Sequence, residues 1–290
     1  MGYVLKRTDF LPQEVWPGME KLTYFVLFPA LLIRTLGSQS LSGAPWPAIL
    51  LVVVCTLTLS AMVLVIWHRI RSSVSGSTFT SVFQGGIRFN TYIALAVAQA
   101  YFGAEGLAIG AVTAGFMIVL INLLCVSAFA AWGETTYKSS TAFIREVLGN
   151  PLIASCAIGW FLSLSGIGLP GTTGDILEIV GRAALPFGLL AVGASLVPNA
   201  IRGHLGAILT ASLVQFGLKP AVAILLLSVV GLTGVPAAVL IIFFMTPTAP
   251  SAYILARQLG GDVETMSSII TLQTMLAFIV MPSIAFFMLP

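Results

Sequence analysis

The sequence predicts an all-α integral membrane protein built from two inverted five-helix repeats, each with one broken helix. Apolar residues make up 58% of the chain and charged residues only 8%, whereas soluble domains carry roughly 25% charged residues. Long apolar runs are separated by short polar connections. Interruptions within two of these runs recur at a nearly constant distance along the chain, which favours a duplicated bundle.

The apolar runs are long enough to cross a bilayer as helices, which takes about 20 residues each. They lack the regular alternation of polar and apolar residues that marks a transmembrane β-strand. We therefore predict about nine spans, at residues 18–37, 46–68, 77–101, 105–132, 145–167, 174–197, 204–231, 236–258 and 262–288.

Basic residues occur at alternate connections between these runs, and this pattern predicts the orientation of the chain. The positive-inside rule places such connections in the cytoplasm. It puts the loop at 133–146 inside and the C-terminus on the outer side. The net charge of +3 is too small and too scattered to indicate nucleic-acid binding. The basic residues that support this orientation are Lys6, Arg7, Arg69, Arg71, Lys138, Arg145, Arg202 and Arg257.

An internal repeat relates the two halves of the chain. The stretch FPALLIRTL, which contains Pro29, resembles LPFGLLAVGASL, which contains Pro186, at an offset of 157 residues. Further on, RFNTYIALAVAQAYFGAEG resembles APSAYILARQLGGDVE, which sets Asn90 opposite Pro250 at an offset of 160 residues. Apolar helices resemble one another by composition, but two matches at nearly one offset favour a duplicated unit.

The duplication divides the chain into a first repeat at 1–132, a cytoplasmic linker at 133–144 and a second repeat at 145–290. A complete unit would contain five helices, and an odd number of helices inverts the second unit across the membrane. Extending the alignment backward places residues 2–12 opposite 159–170, the last part of a spanning helix. We therefore expect the first helix of the first repeat to be truncated.

The stretch VFQGGIRFNTYIAL predicts a helix broken near the middle of its span. Gly85 and Gly86 weaken a helix, and Arg88 and Asn90 then place a cation and an amide where burial costs several kcal/mol without a partner or a cavity. Prolines interrupt the corresponding span of the second repeat within MTPTAP. One such break alone is more often a packing kink. Two symmetric breaks bring half-helix N-termini together, and we predict an organic anion site there.

Six residues at or near the breaks are candidate substrate ligands. Asn90 is the strongest, because an amide binds a carboxylate at a lower desolvation cost than a charge. Arg88 either contacts the anion or braces backbone carbonyls. Asn122 either lines the same cavity or forms an interhelical hydrogen bond. The remaining three candidates come from the second break and are Thr246, Thr248 and Pro250.

Two further polar residues within spans are candidates for ion binding or support. The amide of Gln84 either lines the site or bonds between helices. The ammonium of Lys219, just before Pro220, either gates or supports the site or braces the proline kink. No acidic residue lies near the middle of a predicted span. The chain also lacks nucleotide-binding, metal-binding and nucleophile motifs, so we predict neither enzyme activity nor a cofactor.

Six stretches carry a family resemblance: QGGIRFNTYIAL, YFGAEGLAIG, FVLFPALLIRTL, NPLIASCAIGW, LPFGLLAVGASL and MTPTAPSAYILARQLGGD. Together they closely resemble the auxin efflux carrier family, whose bacterial members include permeases for malonate or malate. The resemblance implies ten helices in two inverted repeats, a carboxylate site where the broken helices cross, and elevator-like alternating access in the bacterial inner membrane. Asn90 and Pro250 match the crossover residues of that family. Arg88 and Thr248 flank them, and Asn122 matches an asparagine of the next helix.

The residues and the resemblance together predict a secondary carrier of a small organic anion such as malonate, malate or an auxin-like carboxylate. The sequence leaves open whether H⁺ or Na⁺ is coupled to transport and whether the protein is a homodimer. One alternative is a sodium-coupled organic anion symporter with a fold like that of bile acid transporters, in which Gln84, Thr248 and unwound carbonyls bind sodium. Another is a membrane sensor or scaffold that keeps the fold without transport.

Overall fold

The all-α prediction is confirmed by a computed structural model that describes residues 1–38, 45–71, 74–133, 149–197 and 205–288. Every regular element within these ranges is a helix. Almost all of the predicted linker at 133–144 and of the loop at 133–146 lies outside the described residues. The division into two repeats at this linker therefore stays a prediction.

The first half of the chain contains a long interrupted helix, a continuous one and a broken pair. A π-helical turn at Thr23–Leu27 connects the second and third helices, and a kink at Gly103, with φ of 58° and ψ of −140°, divides the sixth. Only glycine adopts this backbone conformation without strain. The helices are α1 Gly2–Arg7, α2 Val15–Leu22, α3 Phe28–Gly37, α4 Trp46–Ile70, α5 Gly76–Ile87 and α6 Thr91–Trp132.

The second half repeats much of this order of elements. A broken pair again follows two longer helical stretches, and the helices before the two breaks, at 76–87 and 234–245, each have 12 residues. A second π-helical turn lies at Val214–Leu218. The helices are α7 Pro151–Leu164, α8 Thr173–Arg182, α9 Ala184–Ala194, α10 Leu205–Leu213, α11 Lys219–Val230, α12 Gly234–Met245, α13 Ser251–Leu259 and α14 Val263–Met288.

Five helical stretches among the described residues are long and apolar enough to cross a membrane. Two shorter apolar helices, α7 and α12, fall below that length. The figure of about nine spans therefore stays a prediction, whereas the helical and apolar character of the chain is confirmed. The five stretches are Trp46–Ile70, Gly76–Trp132, Thr173–Ala194, Leu205–Val230 and Val263–Ser283.

The two helices that precede the breaks lie at the centre of the bundle. All ten residues from Thr78 to Ile87 of α5 are buried, and so are all eight from Ala238 to Met245 of α12. By contrast, α4 exposes large apolar side chains such as Leu51, as expected of a helix that faces lipid. The ends of α5 and α12 therefore lie in a region where backbone groups need partners within the protein.

The first break lies three residues later than the glycines predicted. Helix α5 continues through Gly85 and Gly86 to Ile87, so these glycines do not interrupt it. They permit close packing instead: a Cβ on Gly85 would lie 2.7 Å from the side chain of Ile269, and one on Gly86 would lie 2.9 Å from that of Leu64. Small residues let membrane helices approach closely, and tertiary packing here outweighs their low helix propensity.

Asp262 joins the first turn of α5 to the start of α14. Its Oδ1 accepts a hydrogen bond from the backbone N–H of Thr265 at 2.9 Å, which caps α14. Its Oδ2 accepts one from the hydroxyl of Thr78 at 3.0 Å, and its carbonyl accepts one from the hydroxyl of Ser81 at 2.9 Å. The two halves of the chain are thus bonded at this end of α5.

We expect Asp262→Ala to lower the free energy of unfolding by about 1–2 kcal/mol, because an N-cap is lost together with the bond to Thr78. Asp262→Asn keeps an oxygen at the cap and should cost less. Thermal unfolding of the purified protein in detergent measures the difference. Glu264→Ala is the matched control, since that exposed side chain lies in the same turn. Equal melting temperatures for D262A and E264A would contradict the expectation.

Candidate functional site

Two non-helical breaks face each other inside the bundle, at residues 88–90 and 246–250. The first separates α5 from α6, and Arg88 and Asn90 there have extended backbone conformations, with ψ of 163° and 101°. The second separates α12 from α13. Each break leaves one helix C-terminus and one helix N-terminus inside the protein.

Asn90 caps the helix that follows the first break. Its Oδ1 accepts hydrogen bonds from the backbone N–H groups of Tyr92 and Ile93, at 3.0 and 3.2 Å. This is the typical arrangement of an asparagine N-cap. The amide nitrogen on the same side chain, Nδ2, is buried and has no hydrogen-bond partner. Asn90 is only 1% exposed. A buried donor without an acceptor is rare and needs an explanation.

A cavity of about 1000 Å³ lies beside Asn90. Residues of both breaks line it, and so do residues from α2 and from the start of α7. The cavity is within the size range of small-molecule sites in proteins. Four of the predicted site residues line it, namely Arg88, Asn90, Asn122 and Pro250.

Three helices begin at the cavity, and the first residue of each lines it: Thr91 of α6, Pro151 of α7 and Ser251 of α13. Asn150 caps α7 as Asn90 caps α6, because its Oδ1 accepts from the backbone N–H groups of Leu152 and Ile153, at 2.9 and 3.4 Å. Helix N-termini carry partial positive charge. Their convergence makes the cavity suitable for an anion.

Arg88 and Asn122 are bonded to each other at the cavity wall. The guanidinium Nη2 of Arg88 donates to Oδ1 of Asn122 at 2.6 Å. The sequence left two alternatives for Asn122, a cavity-lining role and an interhelical hydrogen bond. In the structure Asn122 lines the cavity and also connects α6 to Arg88, at the end of α5. Nε of Arg88 is buried without a partner. The arginine thus retains donor capacity beside the unpartnered amide of Asn90.

Thr246 and Thr248 are fully buried and do not line the cavity. The hydroxyl of Thr246 donates to the carbonyl of Phe243 at 2.9 Å, within the last turn of α12. The hydroxyl of Thr248 donates to the carbonyl of Gly85 at 3.0 Å, across the crossover. Gln273 of α14 completes this contact: its Oε1 accepts from the N–H of Thr248 at 3.0 Å and its Nε2 donates to the Gly85 carbonyl at 2.9 Å.

Gln84 and Lys219 are also buried and lie away from the cavity lining. Nε2 of Gln84 donates to the carbonyl of Ala252 at 3.5 Å, and its Oε1 has no partner. Nζ of Lys219 donates to the carbonyls of Ile87 and Arg88, at 3.2 and 3.3 Å. Among the roles considered for Lys219, these bonds favour support of the first break.

The sequence analysis missed several polar residues of the cavity. The cavity is also lined by Glu20 and Lys21 of α2 and by Tyr24 of the π-helical turn. They were overlooked because charges at the start of an apolar run are typical of the membrane interface. Asn150 was detectable, since Asn followed by Pro at the start of an apolar run is typical of a helix N-terminus.

Comparisons with known proteins agree with this architecture. The family model described as "Membrane transport protein" matches residues 1–285. An uncharacterized transporter of Methanothermobacter thermautotrophicus (strain Delta H) is 26% identical over 284 residues, which cover 97% of this chain and 92% of that protein. A match over nearly the whole chain shows the family. The protein is thus a membrane protein that belongs to the membrane transport protein family, the family of the auxin efflux carriers.

Proposed function

We propose that the protein is a secondary carrier that moves a small organic carboxylate across the membrane, with malonate, malate and auxin-like acids as the substrate class. One observation carries the proposal: the buried Nδ2 donor of Asn90 has no partner, lies at a helix N-terminus and belongs to a residue that lines the cavity. A carboxylate oxygen is the acceptor that this position lacks. Its negative charge also suits the N-terminus of α6.

The other lining residues have complementary roles in this proposal. Arg88 supplies the positive charge that balances a carboxylate, and Asn122 fixes its guanidinium by the bond at 2.6 Å. Charge-assisted hydrogen bonds of this kind are shorter and stronger than neutral ones. Because Pro250 has no backbone N–H, its nitrogen donates no hydrogen bond at the start of α13. Thr246 and Thr248 act through the backbone, because their hydroxyls bond to carbonyls behind the cavity wall.

Elevator-type alternating access is the proposed mechanism, and the contacts around the breaks support it. The two breaks are bonded to one another through Thr248 and Gln273, so they are expected to move as one body. The opposite wall of the cavity comes from α2 and α7. By the predicted orientation this wall lies at the cytoplasmic end, and the cavity faces inward. Sliding of the crossover body past α2 and α7 would carry the site toward the outer side.

Coupling and location complete the proposal. Glu20 is the carboxylate among the cavity-lining residues, and it offers a titratable group for H⁺ coupling that the mid-span sequence lacks. A sodium-coupled mechanism would use the free Oε1 of Gln84 instead. The proposed location is the bacterial inner membrane, with the C-terminus periplasmic. The homodimer stays a prediction.

Reconstituted protein should take up or release labelled malonate, malate or indole acetate. We expect at least one of these anions to move down its gradient in proteoliposomes and to compete with the others. Parallel measurements with an imposed H⁺ gradient, an imposed Na⁺ gradient and neither separate the coupling alternatives. Empty liposomes are the control for passive diffusion of the protonated acids. Absence of transport for all carboxylates tested would favour the sensor or scaffold alternative.

Asn90→Asp tests the site itself. Aspartate keeps an oxygen that caps α6 but replaces the Nδ2 donor with a negatively charged oxygen, so the fold should survive while the anion is repelled. We expect a loss of transport of roughly tenfold or more, because a hydrogen bond to a charged group contributes about 1.5–3 kcal/mol.

Ser228→Ala is the matched control for this variant. That hydroxyl is exposed and donates to the carbonyl of Ile224 in its own helix, at 3.0 Å. Thermal unfolding of N90D and S228A in detergent checks that both are folded. Transport by N90D at the wild-type rate would refute the assignment of Asn90.

A further inference from the structure

Lys219 places a fully buried Nζ nitrogen against the end of α5. The residue is 0% exposed, and its Nζ has three acceptors: the carbonyls of Ile87 and Arg88, at 3.2 and 3.3 Å, and Oε1 of Gln215, at 2.8 Å. Three acceptors match the three N–H donors of a lysine ammonium. The lysine follows the π-helical turn at Val214–Leu218, which also accommodates Pro220 within the helix.

All three acceptors of this ammonium are neutral. Among the described residues, the ion pairs within 4.0 Å are those of Glu178 with Arg34 and Arg182, and neither involves Lys219. The lysine charge is therefore balanced by the negative end of α5 rather than by a carboxylate. The C-terminus of a helix carries partial negative charge and attracts cations.

The same environment is one that binds metal ions in other carriers. Half-helix C-termini and unwound carbonyls at a crossover coordinate the coupling Na⁺ or H⁺ of many secondary transporters. Sodium and other hard cations take oxygen ligands of this kind. Here the ammonium already occupies the carbonyls of Ile87 and Arg88.

The second break is tied to the same ammonium. Gln215, whose Oε1 accepts from Lys219, uses its Nε2 to donate to the carbonyl of Thr246 at the end of α12. One lysine and one glutamine of the same helical stretch thus bind carbonyls at both C-termini. The charge is fixed between the two breaks, immediately behind Arg88 and the cavity.

We propose that Lys219 is a resident cation of the crossover, which performs permanently the role of a metal ion that would otherwise bind at the end of α5. Its ammonium neutralises the carbonyl end of the break, holds α5 and α12 together through Gln215, and adds fixed positive charge behind the anion cavity. The inference rests on the proposed carrier function. It implies that transport needs no sodium at this position.

Three substitutions separate charge from structure. Lys219→Arg keeps the cation, Lys219→Met keeps the apolar stem without charge, and Lys219→Ala leaves room for an added cation. We expect K219R to transport labelled malonate at the wild-type rate in the same buffer. K219M should lose roughly tenfold or more, because it removes the donor and leaves the carbonyls of Ile87 and Arg88 buried without that hydrogen bond.

Transport by K219A can be tested for rescue by an added cation. n-Propylammonium matches the fragment that this substitution deletes, and it should restore transport several-fold, as should Na⁺ if it reaches the vacated carbonyls. The same cations should raise the melting temperature of purified K219A and leave that of wild type unchanged, a readout that does not depend on transport. Ser212→Ala is the matched control, since Ser212 is buried on the same stretch and donates to Ile208 of its own helix at 2.9 Å.

Two results would overturn the inference: transport by folded K219M at the rate of K219R, or a K219A protein whose melting temperature responds to no cation. If K219A does not fold, the comparison of K219R with K219M decides. Failure of wild type to move any carboxylate would count against the proposed function instead. In that case the melting temperatures still test the resident cation.

Discussion

A helix that ends inside a membrane protein leaves backbone groups without intrahelical partners, and lipid supplies none. Both breaks of this protein meet that constraint with side chains from other helices. Lys219 and Gln273 bond to the carbonyls at the end of α5, and Gln215 bonds to one at the end of α12. The positions of Lys219, Gln215 and Gln273 follow from this requirement.

The helix C-terminus and the helix N-terminus at each break have different surroundings. Several carbonyls at the C-terminal ends of α5 and α12 accept hydrogen bonds from side chains inside the protein, whereas α6 and α13 begin at the cavity. The polar groups that the two breaks present to the cavity are therefore mainly donors and helix N-termini, and Glu20 adds a carboxylate from the opposite wall. This asymmetry favours anions over cations without any charge from a metal ion. Arg88 strengthens the preference, and Asn122 keeps its guanidinium at the wall.

The sequence predicted the helical, apolar character of the chain and the presence of two breaks, because apolar length and punctuation are local properties. It predicted less well what depends on packing. Gly85 and Gly86 suggested an interrupted helix, but their lack of side chains allows α5 to approach Ile269 and Leu64. Thr246 and Thr248 were grouped with Asn90 by position along the chain, yet their hydroxyls bond to carbonyls away from the cavity. Partners such as Gln215 and Asn150 lie more than 50 residues from Asn90, so no local pattern connects them.

The carbonyl of Gly85 accepts bonds from both Thr248 and Gln273, and that of Ile87 accepts one from Lys219. All three donors belong to the second half of the chain, while the acceptors belong to the first. The halves resemble each other in sequence, but at the crossover one half supplies the donors and the other supplies the acceptors. Two copies of the first half could not form this crossover, because neither would bring the donors. At the crossover the two halves are therefore complementary rather than interchangeable.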